Sequence, residues 1–283
     1  MSRNIQDVLK ACESRLSGVD SPRLSAELLA AHALGCSRLA LNLERGRVLT
    51  GAELAAVEAL IARRAAGEPV AYILGSREFY GLDFVVSPAV LIPRPETEHI
   101  VEGVEARFTK KQAFRFADLG TGSGILAVTL TTLFPEARGV AVDISADALD
   151  VARANAEAHN VADRLDFLQA DFTVETVEGA FDLVVSNPPY VTEAEFEAAS
   201  HEVTGFEPTG ALVSGADGLD HIRAMLPGVA AMLNPRGWLL MEIGCGQGQT
   251  VINIIIDKRP LFEEVGVEKD LAGRDRVVVA RKK

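Results

Sequence analysis

The spacing of hydrophobic residues in the first quarter of the chain differs from their spacing in the rest. Over residues 1–70, apolar residues recur every three or four positions, as in Ile5, Val8 and Leu9, and this spacing is typical of amphipathic helices. A capping-box pattern at Thr50–Glu53 marks the start of one of them. The pattern predicts a small helical bundle over residues 1–70.

Short apolar runs of strand length begin after the helix-breaking residues Gly67–Pro69. The runs 72–74, 78–80 and 84–86 are separated by Gly75 and Gly81. Short apolar runs around glycine are typical of hairpins. Residues 71–95 are therefore predicted to form a β-hairpin linker.

Strands and helices alternate over residues 96–283. Strand-length runs at 114–118, 140–143, 165–168, 181–185 and 238–243 are separated by helical segments, and the runs 265–268 and 276–280 are expected to close the sheet as an antiparallel pair. This alternation predicts an α/β domain with a doubly wound, seven-stranded sheet. In such sheets ligands bind beyond the carboxyl ends of the strands, where Asp118, Asp143, Phe172 and Asn187 all fall.

Charge and cysteine content narrow the possible partners. The 28 Lys and Arg residues against 40 Asp and Glu residues give a net charge of −12, which argues against a broad nucleic-acid surface. Three cysteines without a paired spacing predict neither a metal site nor a disulfide framework. With no signal-like N-terminus and no membrane-length apolar run, we expect a cytoplasmic protein that does not enter a membrane. The acidic stretch 193–202 is expected to be a solvated face or a flexible flap.

The tetrapeptide Asn187-Pro188-Pro189-Tyr190 ends the apolar run 181–185 in an unusual way. Each proline removes a backbone donor and holds the preceding residue extended. The Asn187 side chain and nearby carbonyls are thereby free to accept N–H groups of a ligand, and Tyr190 offers an aromatic face to a planar group. A rigid turn without function remains an alternative for this segment alone.

A glycine-rich loop follows the strand that ends at Asp118. The loop residues Gly120, Thr121, Gly122, Ser123 and Gly124 lead into an apolar helix, which is the arrangement of a nucleotide-type cofactor site. About 20 residues further on, Asp143 ends the next strand, where an acid can accept the ribose hydroxyls. The loop alone does not distinguish NAD from S-adenosylmethionine.

Together the two stretches resemble the class I S-adenosylmethionine-dependent methyltransferases, whose Asn-Pro-Pro-Tyr motif marks methylation of a planar nitrogen. Three further segments are similar to those of the release factor glutamine methyltransferases: Gly75–Gly81, Leu91–Glu98 and the residues from Glu207 to Leu219. The resemblance covers the chain from about residue 20 to its end. It implies a seven-stranded methyltransferase sheet over residues 96–283 and a substrate-recognition role for the helical bundle.

The resemblance also implies a reaction and its residues. S-adenosyl-L-methionine would donate a methyl group to N5 of the glutamine in the Gly-Gly-Gln motif of class I peptide chain release factors. The enzyme would be a monomer that does not bind nucleic acid directly. The expected cofactor-binding residues are the loop residues Gly120–Gly124 and, outside the loop, Asp118, Asp143, Asp171, Phe172 and Asn187. Expected substrate-binding residues are Phe79, Asn187, Pro188, Pro189 and Tyr190, of which Asn187, Pro188 and Tyr190 would be catalytic.

Several alternatives stay open from the sequence. A glutamine methyltransferase for a ribosomal protein and an adenine-N6 methyltransferase for nucleic acid share the same motif. Phe79 could be a core aromatic instead of a wall of the substrate pocket, and Phe172 could be core instead of stacking on adenine. Arg94 either begins a helix or shapes the entrance of the site. His201 and His221 are expected to be structural or surface residues, and no catalytic histidine or metal is assigned.

Overall fold

The computed structural model describes residues 3–175, 177–257 and 261–283. The chain forms two compact units. One comprises Met1–Ser76 together with Ser200–Phe206, and the other comprises Arg77–Ala199 and Glu207–Lys283. Within the described ranges, no helix is both long and apolar enough to cross a bilayer.

The first unit is helical, as the sequence pattern predicts. Its helices are α1 (Ile5–Arg15), α2 (Pro22–Ala33), α3 (Arg38–Leu43), α4 (Gly51–Ala65) and α5 (Val70–Leu74). The capping box at the start of α4 is present, with Thr50 Oγ1 accepting from the Glu53 backbone N–H and the Glu53 carboxylate accepting from the Thr50 backbone N–H. Apolar faces of these helices, including Leu16, Leu29 and Val57, form one buried cluster.

One expectation for this unit is wrong. Residues 72–74 lie in α5 and not in a strand, because Pro69 precedes the helix and Gly75 ends it in the left-handed conformation. The acidic stretch 193–202 is mostly exposed, as expected of a solvated face. It forms α9 (Glu193–Glu197) and reaches α10 (His201–Phe206), where Glu202 pairs with the buried Arg64 at 2.7 Å.

The second unit contains the hairpin and the sheet. Its strands are β1 (Ser76–Phe79), β2 (Leu82–Val85), β3 (Arg115–Leu119), β4 (Arg138–Asp143), β5 (Leu165–Gln169), β6 (Phe181–Ser186), β7 (Leu233–Glu242), β8 (Phe262–Lys269) and β9 (Asp275–Lys282). Its longer helices are α6 (Glu98–Glu105), α7 (Ile125–Leu133), α8 (Ala146–Ala158), α11 (Asp220–Met232) and α12 (Gly248–Asp257). Short 3₁₀ turns lie at Pro95–Thr97, Ala162–Arg164 and Thr209–Ala211.

Seven strands form one sheet in the order β5-β4-β3-β6-β7-β9-β8. The five strands from β5 to β7 are parallel, and β9 pairs antiparallel with both β7 and β8. The predicted seven-stranded, doubly wound sheet is confirmed. The strand order reverses beside β3, between its neighbours β4 and β6, and this is the topological position where open α/β sheets bind ligands.

The hairpin is fastened to the sheet unit by a buried amide. Asn155 of α8 is fully buried. Its Oδ1 accepts the Val85 backbone N–H at 2.7 Å, and its Nδ2 donates to the backbone carbonyls of Val85 at 3.0 Å and Ser123 at 2.8 Å. One side chain therefore fixes both β2 and the glycine-rich loop against α8.

Close packing within the sheet gives a first test of this fold. A Cβ atom added at Gly139 of β4 would lie 2.3 Å from the ring of the fully buried Phe116. Because the core cannot absorb this overlap, Gly139→Ala is expected to lower the free energy of unfolding by about 2 kcal/mol. Urea unfolding monitored by circular dichroism measures the change. Gly266→Ala in β8, where an added Cβ contacts nothing within 4 Å, is the matched control, and equal losses in the two variants would contradict the packing argument.

Candidate active site

A cavity of about 290 Å³ lies at the carboxyl ends of four adjacent parallel strands. Asp118 near the end of β3, Asp143 at the end of β4, Phe172 after β5 and Asn187 after β6 all line it. Four side chains far apart in sequence are thus gathered around one space, as their predicted positions at strand ends require.

The glycine-rich loop folds around the buried carboxylate of Asp118. Oδ2 of Asp118 accepts the Thr121 hydroxyl at 2.6 Å and the Ala127 backbone N–H at 3.1 Å. Oδ1 is buried and has no hydrogen-bond partner among the residues that the structure describes. Burial raises the pKa of Asp118 to about 7, although its two hydrogen bonds lower it. An unpaired oxygen beside the cavity wall is suited to accept from a cationic or N–H group.

Asp143 holds the same loop from the other side. Its Oδ2 accepts the Gly122 backbone N–H at 2.9 Å and its Oδ1 accepts the Ser145 backbone N–H at 3.0 Å. A carboxylate offers about four acceptor positions, so two further donors can still be accommodated. The geometry fits a ligand with neighbouring hydroxyl groups.

Asp171 and Phe172 form the wall beyond β5. Oδ1 of Asp171 accepts both the backbone N–H and the hydroxyl of Thr173, and these bonds lower the pKa of Asp171. The Phe172 ring packs over Gly120, where an added Cβ would approach it to 3.3 Å. Phe172 belongs to the buried core and also lines the cavity, so its two predicted roles do not exclude each other.

The Asn187 carboxamide reaches the cavity from the end of β6. Its Nδ2 donates to the Thr97 hydroxyl oxygen at 3.1 Å, which leaves Oδ1 as the acceptor end of the group. Pro189 also lines the cavity, whereas the buried Pro188 is not among the lining residues. An acceptor oxygen beside a cofactor-sized space can receive an N–H group of a substrate.

Tyr190, the last residue of the tetrapeptide Asn187–Tyr190, is held by hydrogen bonds from both its side chain and its backbone. Its hydroxyl donates to Glu242 Oε1 at 2.9 Å, and its backbone carbonyl accepts from Gln247 Nε2 at 3.1 Å. Burial raises the pKa of Tyr190 most, and the neighbouring Glu242 carboxylate raises it further, so the phenol remains protonated. Its ring lies against Gly244, where an added Cβ would be 3.4 Å from Cδ2.

Comparison with known proteins places this geometry in a family. Residues 7–75 match the model of the PrmC N-terminal domain, and residues 98–204 match that of the methyltransferase small domain. The chain is 46% identical over 281 residues to the release factor glutamine methyltransferase of Nitratidesulfovibrio vulgaris, covering 98% of this chain and 95% of that protein. The chain belongs to the release factor glutamine methyltransferases.

A second relative and a solved structure agree with this assignment. The release factor glutamine methyltransferase of Koribacter versatilis is 45% identical over 93% of this chain and 92% of its own length. The structure of a methyltransferase from Pyrococcus furiosus, at 18% identity, superposes with a TM-score of 0.53 and covers 80% of this chain and 97% of its own. The latter likeness establishes the fold alone. A methyltransferase of this class uses a donor of the S-adenosylmethionine type.

Four residues expected in the site of this methyltransferase, Phe79, Gly124, Pro188 and Tyr190, are not among those that line its cavity. Phe79 is 1% exposed and packs edge-on against Phe84 in the core, which favours the core role over the pocket wall among its two predicted roles. Its strand position turns the ring inward. Gly124 does not line the cavity either. It precedes α7 in a left-handed conformation, and an added Cβ would lie 3.1 Å from Cβ of Ala152, so its place is explained by helix packing.

Arg94, for which a role at the entrance was one alternative, and His221, which was expected to be a structural or surface residue, also line the cavity. Arg94 begins the 3₁₀ turn and also lines the cavity, which unites its two proposed roles. It pairs at 2.6 Å with the buried Glu207, whose other oxygen accepts the Ile92 backbone N–H at 3.2 Å. His221 at the start of α11 lines the cavity with Nδ1 at 2.8 Å from Ser214 Oγ. These contacts depend on the backbone conformation of the Pro-rich segment around Arg94 and of the turn at Ser214. The sequence has no pattern that predicts either conformation.

Proposed function

We propose that the protein transfers a methyl group from S-adenosylmethionine to the side-chain amide nitrogen of the glutamine in the Gly-Gly-Gln motif of class I peptide chain release factors. The observation that carries the proposal is the Asn187 carboxamide, whose acceptor oxygen stands at the cavity edge because its Nδ2 is engaged with Thr97. The printed names of the relatives support the substrate. We further expect this activity in the cytoplasm, where release factors act.

The residues around the cavity fit S-adenosylmethionine. The unpaired Oδ1 of Asp118 would accept from the α-amino group, since a buried carboxylate without a partner is costly unless a cation meets it. Asp143 would accept from the ribose hydroxyls, and Phe172 would lie against the adenine. When bound, this cofactor supplies a methyl group activated by a sulfonium. Among the described residues no cluster of potential metal ligands was found.

The protein must overcome the low nucleophilicity of an amide nitrogen. That nitrogen shares its lone pair with the carbonyl and gains positive charge as the new C–N bond forms. Asn187 Oδ1 and the Pro188 carbonyl would accept its two N–H groups, which favours the tetrahedral nitrogen of the transition state. Tyr190, fixed by Glu242, would bound the amide plane and aim the nitrogen at the methyl carbon. No general base is required first, because the proton becomes acidic once the methyl group has transferred.

Methyl transfer to purified substrates tests the proposal. The protein is incubated with labelled S-adenosylmethionine and a purified class I release factor, and the modified peptide is identified by mass spectrometry. We expect one methyl group on the Gly-Gly-Gln glutamine and none on a release factor with that glutamine changed to alanine. Parallel reactions contain ribosomal proteins, RNA and DNA. Label in one of these and none in the release factor would replace the proposed substrate.

A further inference from the structure

Behind Asn187 lies a connected group of buried polar side chains. Thr97 is fully buried and Glu242 is 1% exposed. The Thr97 hydroxyl oxygen accepts from Asn187 Nδ2 at 3.1 Å, and the Glu242 carboxylate accepts the Tyr190 hydroxyl at 2.9 Å. The Thr97 hydroxyl also lowers the pKa of the Glu242 carboxyl group, which indicates that the two groups are neighbours. The 3₁₀ turn contributes Thr97, β7 contributes Glu242, and the segment after β6 contributes Asn187 and Tyr190. We name these four residues the Thr97–Glu242 cluster.

The direction of the hydrogen bonds in this cluster follows from the carboxylate. In its ionised form, which the neighbouring hydroxyls and Arg276 favour, the Glu242 carboxylate only accepts hydrogen bonds. Oε1 of Glu242 already accepts from Tyr190, while Oε2 is buried without a well-formed bond to any described residue. Because Oε2 has no other donor among the described residues, the Thr97 hydroxyl hydrogen is assigned to Glu242. Burial raises the pKa of Glu242, and the hydroxyls of Thr97 and Tyr190 and the charge of Arg276 oppose that rise.

The orientation of the Asn187 carboxamide follows in turn. Because the Thr97 hydrogen is directed to Glu242, its oxygen can only accept, and the end of the carboxamide that meets it must be the donor Nδ2. The acceptor Oδ1 is then the end that faces the cavity. A flipped carboxamide would set two acceptor oxygens against each other in a buried place, which is unfavourable.

We propose that Thr97 and Glu242 are positioning residues that hold the Asn187 carboxamide with Oδ1 toward the nitrogen to be methylated. The effect of this positioning on turnover rests on the function proposed above, whereas the orientation of the Asn187 carboxamide does not. Neither residue touches the reacting atoms, so both act through Asn187. The cluster also explains why two buried polar groups persist beside an apolar core, where unpaired polar atoms are costly.

Kinetics of hydroxyl variants test the effect on turnover. Thr97→Val keeps the shape of the side chain and removes the hydroxyl, and we expect kcat to fall about tenfold, with KM for S-adenosylmethionine changed less than about twofold. Thr97→Ser should restore kcat to within about threefold of the original value. Thr129→Val is the matched control, because Thr129 is equally buried in α7 and its hydroxyl has no partner among the described residues. Equal kcat for Thr97→Val and the unchanged protein would overturn the proposal.

A double-mutant cycle separates positioning from general damage to the fold. If Thr97 acts through Asn187, adding Thr97→Val to Asn187→Ala should lower kcat no further. A further tenfold loss in the double variant would show that Thr97 acts independently of Asn187 and would refute the proposal. Glu242→Gln, whose new N–H can donate to Thr97, is expected to lower kcat by a similar factor of about ten.

An NMR measurement tests the orientation without any substrate. With asparagine labelled by ¹⁵N, the side-chain NH₂ signal of Asn187, assigned by its loss in Asn187→Ala, should exchange slowly with solvent. It should lose this protection in Thr97→Val and keep it in Thr129→Val. Exchange as fast as that of the exposed Asn253 in the unchanged protein would overturn the orientation. This readout separates failure of the inference from failure of the proposed function, which the release factor assay alone decides.

Discussion

Replacing Asn187 with alanine is expected to lower kcat for methylation of the release factor by about 10²-fold or more. The variant loses the acceptor that meets the substrate N–H as positive charge develops on nitrogen, and this contact is stronger in the transition state than in the ground state. The Thr97 hydroxyl also loses the N–H that it accepts, so part of the loss reflects a disordered cluster. Single-turnover kinetics with saturating S-adenosylmethionine measure the change.

Binding measurements on the same variant distinguish catalysis from cofactor affinity. Asn187 lines the cavity, and a modest effect on cofactor binding, of about fivefold at most, fits the loss of one polar contact. Asn253→Ala on the exposed side of α12 is the control and should turn over normally. A near-normal kcat in Asn187→Ala would contradict the proposed role of Asn187 in methyl transfer.

The sheet and the placement of the site were accessible from sequence for a physical reason. Buried parallel strands must be continuous apolar runs, and each run here is followed by a polar residue or a glycine-rich turn at its carboxyl end. Asp118, Asp143 and Asn187 could therefore be assigned to one edge of the sheet before any contact was known. The parallel register between β3 and its two neighbours brings them together.

The polar cluster behind Asn187 could not be predicted in this way. Thr97 and Asn187 are 90 residues apart, and Tyr190 and Glu242 are 52 apart. Thr97 looks in sequence like part of a helix start, and Glu242 looks like a polar residue that ends a strand. Only the three-dimensional structure shows that Thr97 contacts Asn187 and that Glu242 contacts Tyr190.

Local conformation explains the error at residues 72–74. The run 72–74 contains an aromatic and a β-branched residue, which favours a strand, but Pro69 and Gly75 bracket a helix of five residues. The pattern of proline before and glycine after a short segment could have indicated it. The acidic stretch 193–202 is exposed as its charge predicts, but the ion pair of Glu202 with Arg64 could not be predicted, because Arg64 lies in a helix whose buried face is otherwise apolar.

Replacing Asp118 with asparagine is expected to weaken S-adenosylmethionine binding by about 10- to 100-fold near pH 8. Asparagine keeps an oxygen for the Thr121 hydroxyl and the Ala127 amide, so the loop should retain its fold. It loses the negative charge that would meet the α-amino group of the cofactor. Calorimetric titration gives the affinity, and Asp166→Asn, which removes the same charge from an exposed position of β5, is the matched control.

The affinity for S-adenosylmethionine is also expected to depend on pH, and the pKa of Asp118 determines the direction of the change. Burial raises the pKa of Asp118 to about 7, so lowering the pH through 7 protonates the carboxyl group in the free protein. The cofactor amine would then have to displace that proton, and affinity should fall about tenfold between roughly pH 8 and pH 6. The raised pKa also means that the free protein loses stability as pH rises toward 7, because only the folded state retains the proton there, and bound cofactor should restore that loss. Asp118→Asn should show a flat profile over this range. A profile in the variant as steep as in the unchanged protein would show that the Asp118 carboxylate does not meet the cofactor amine.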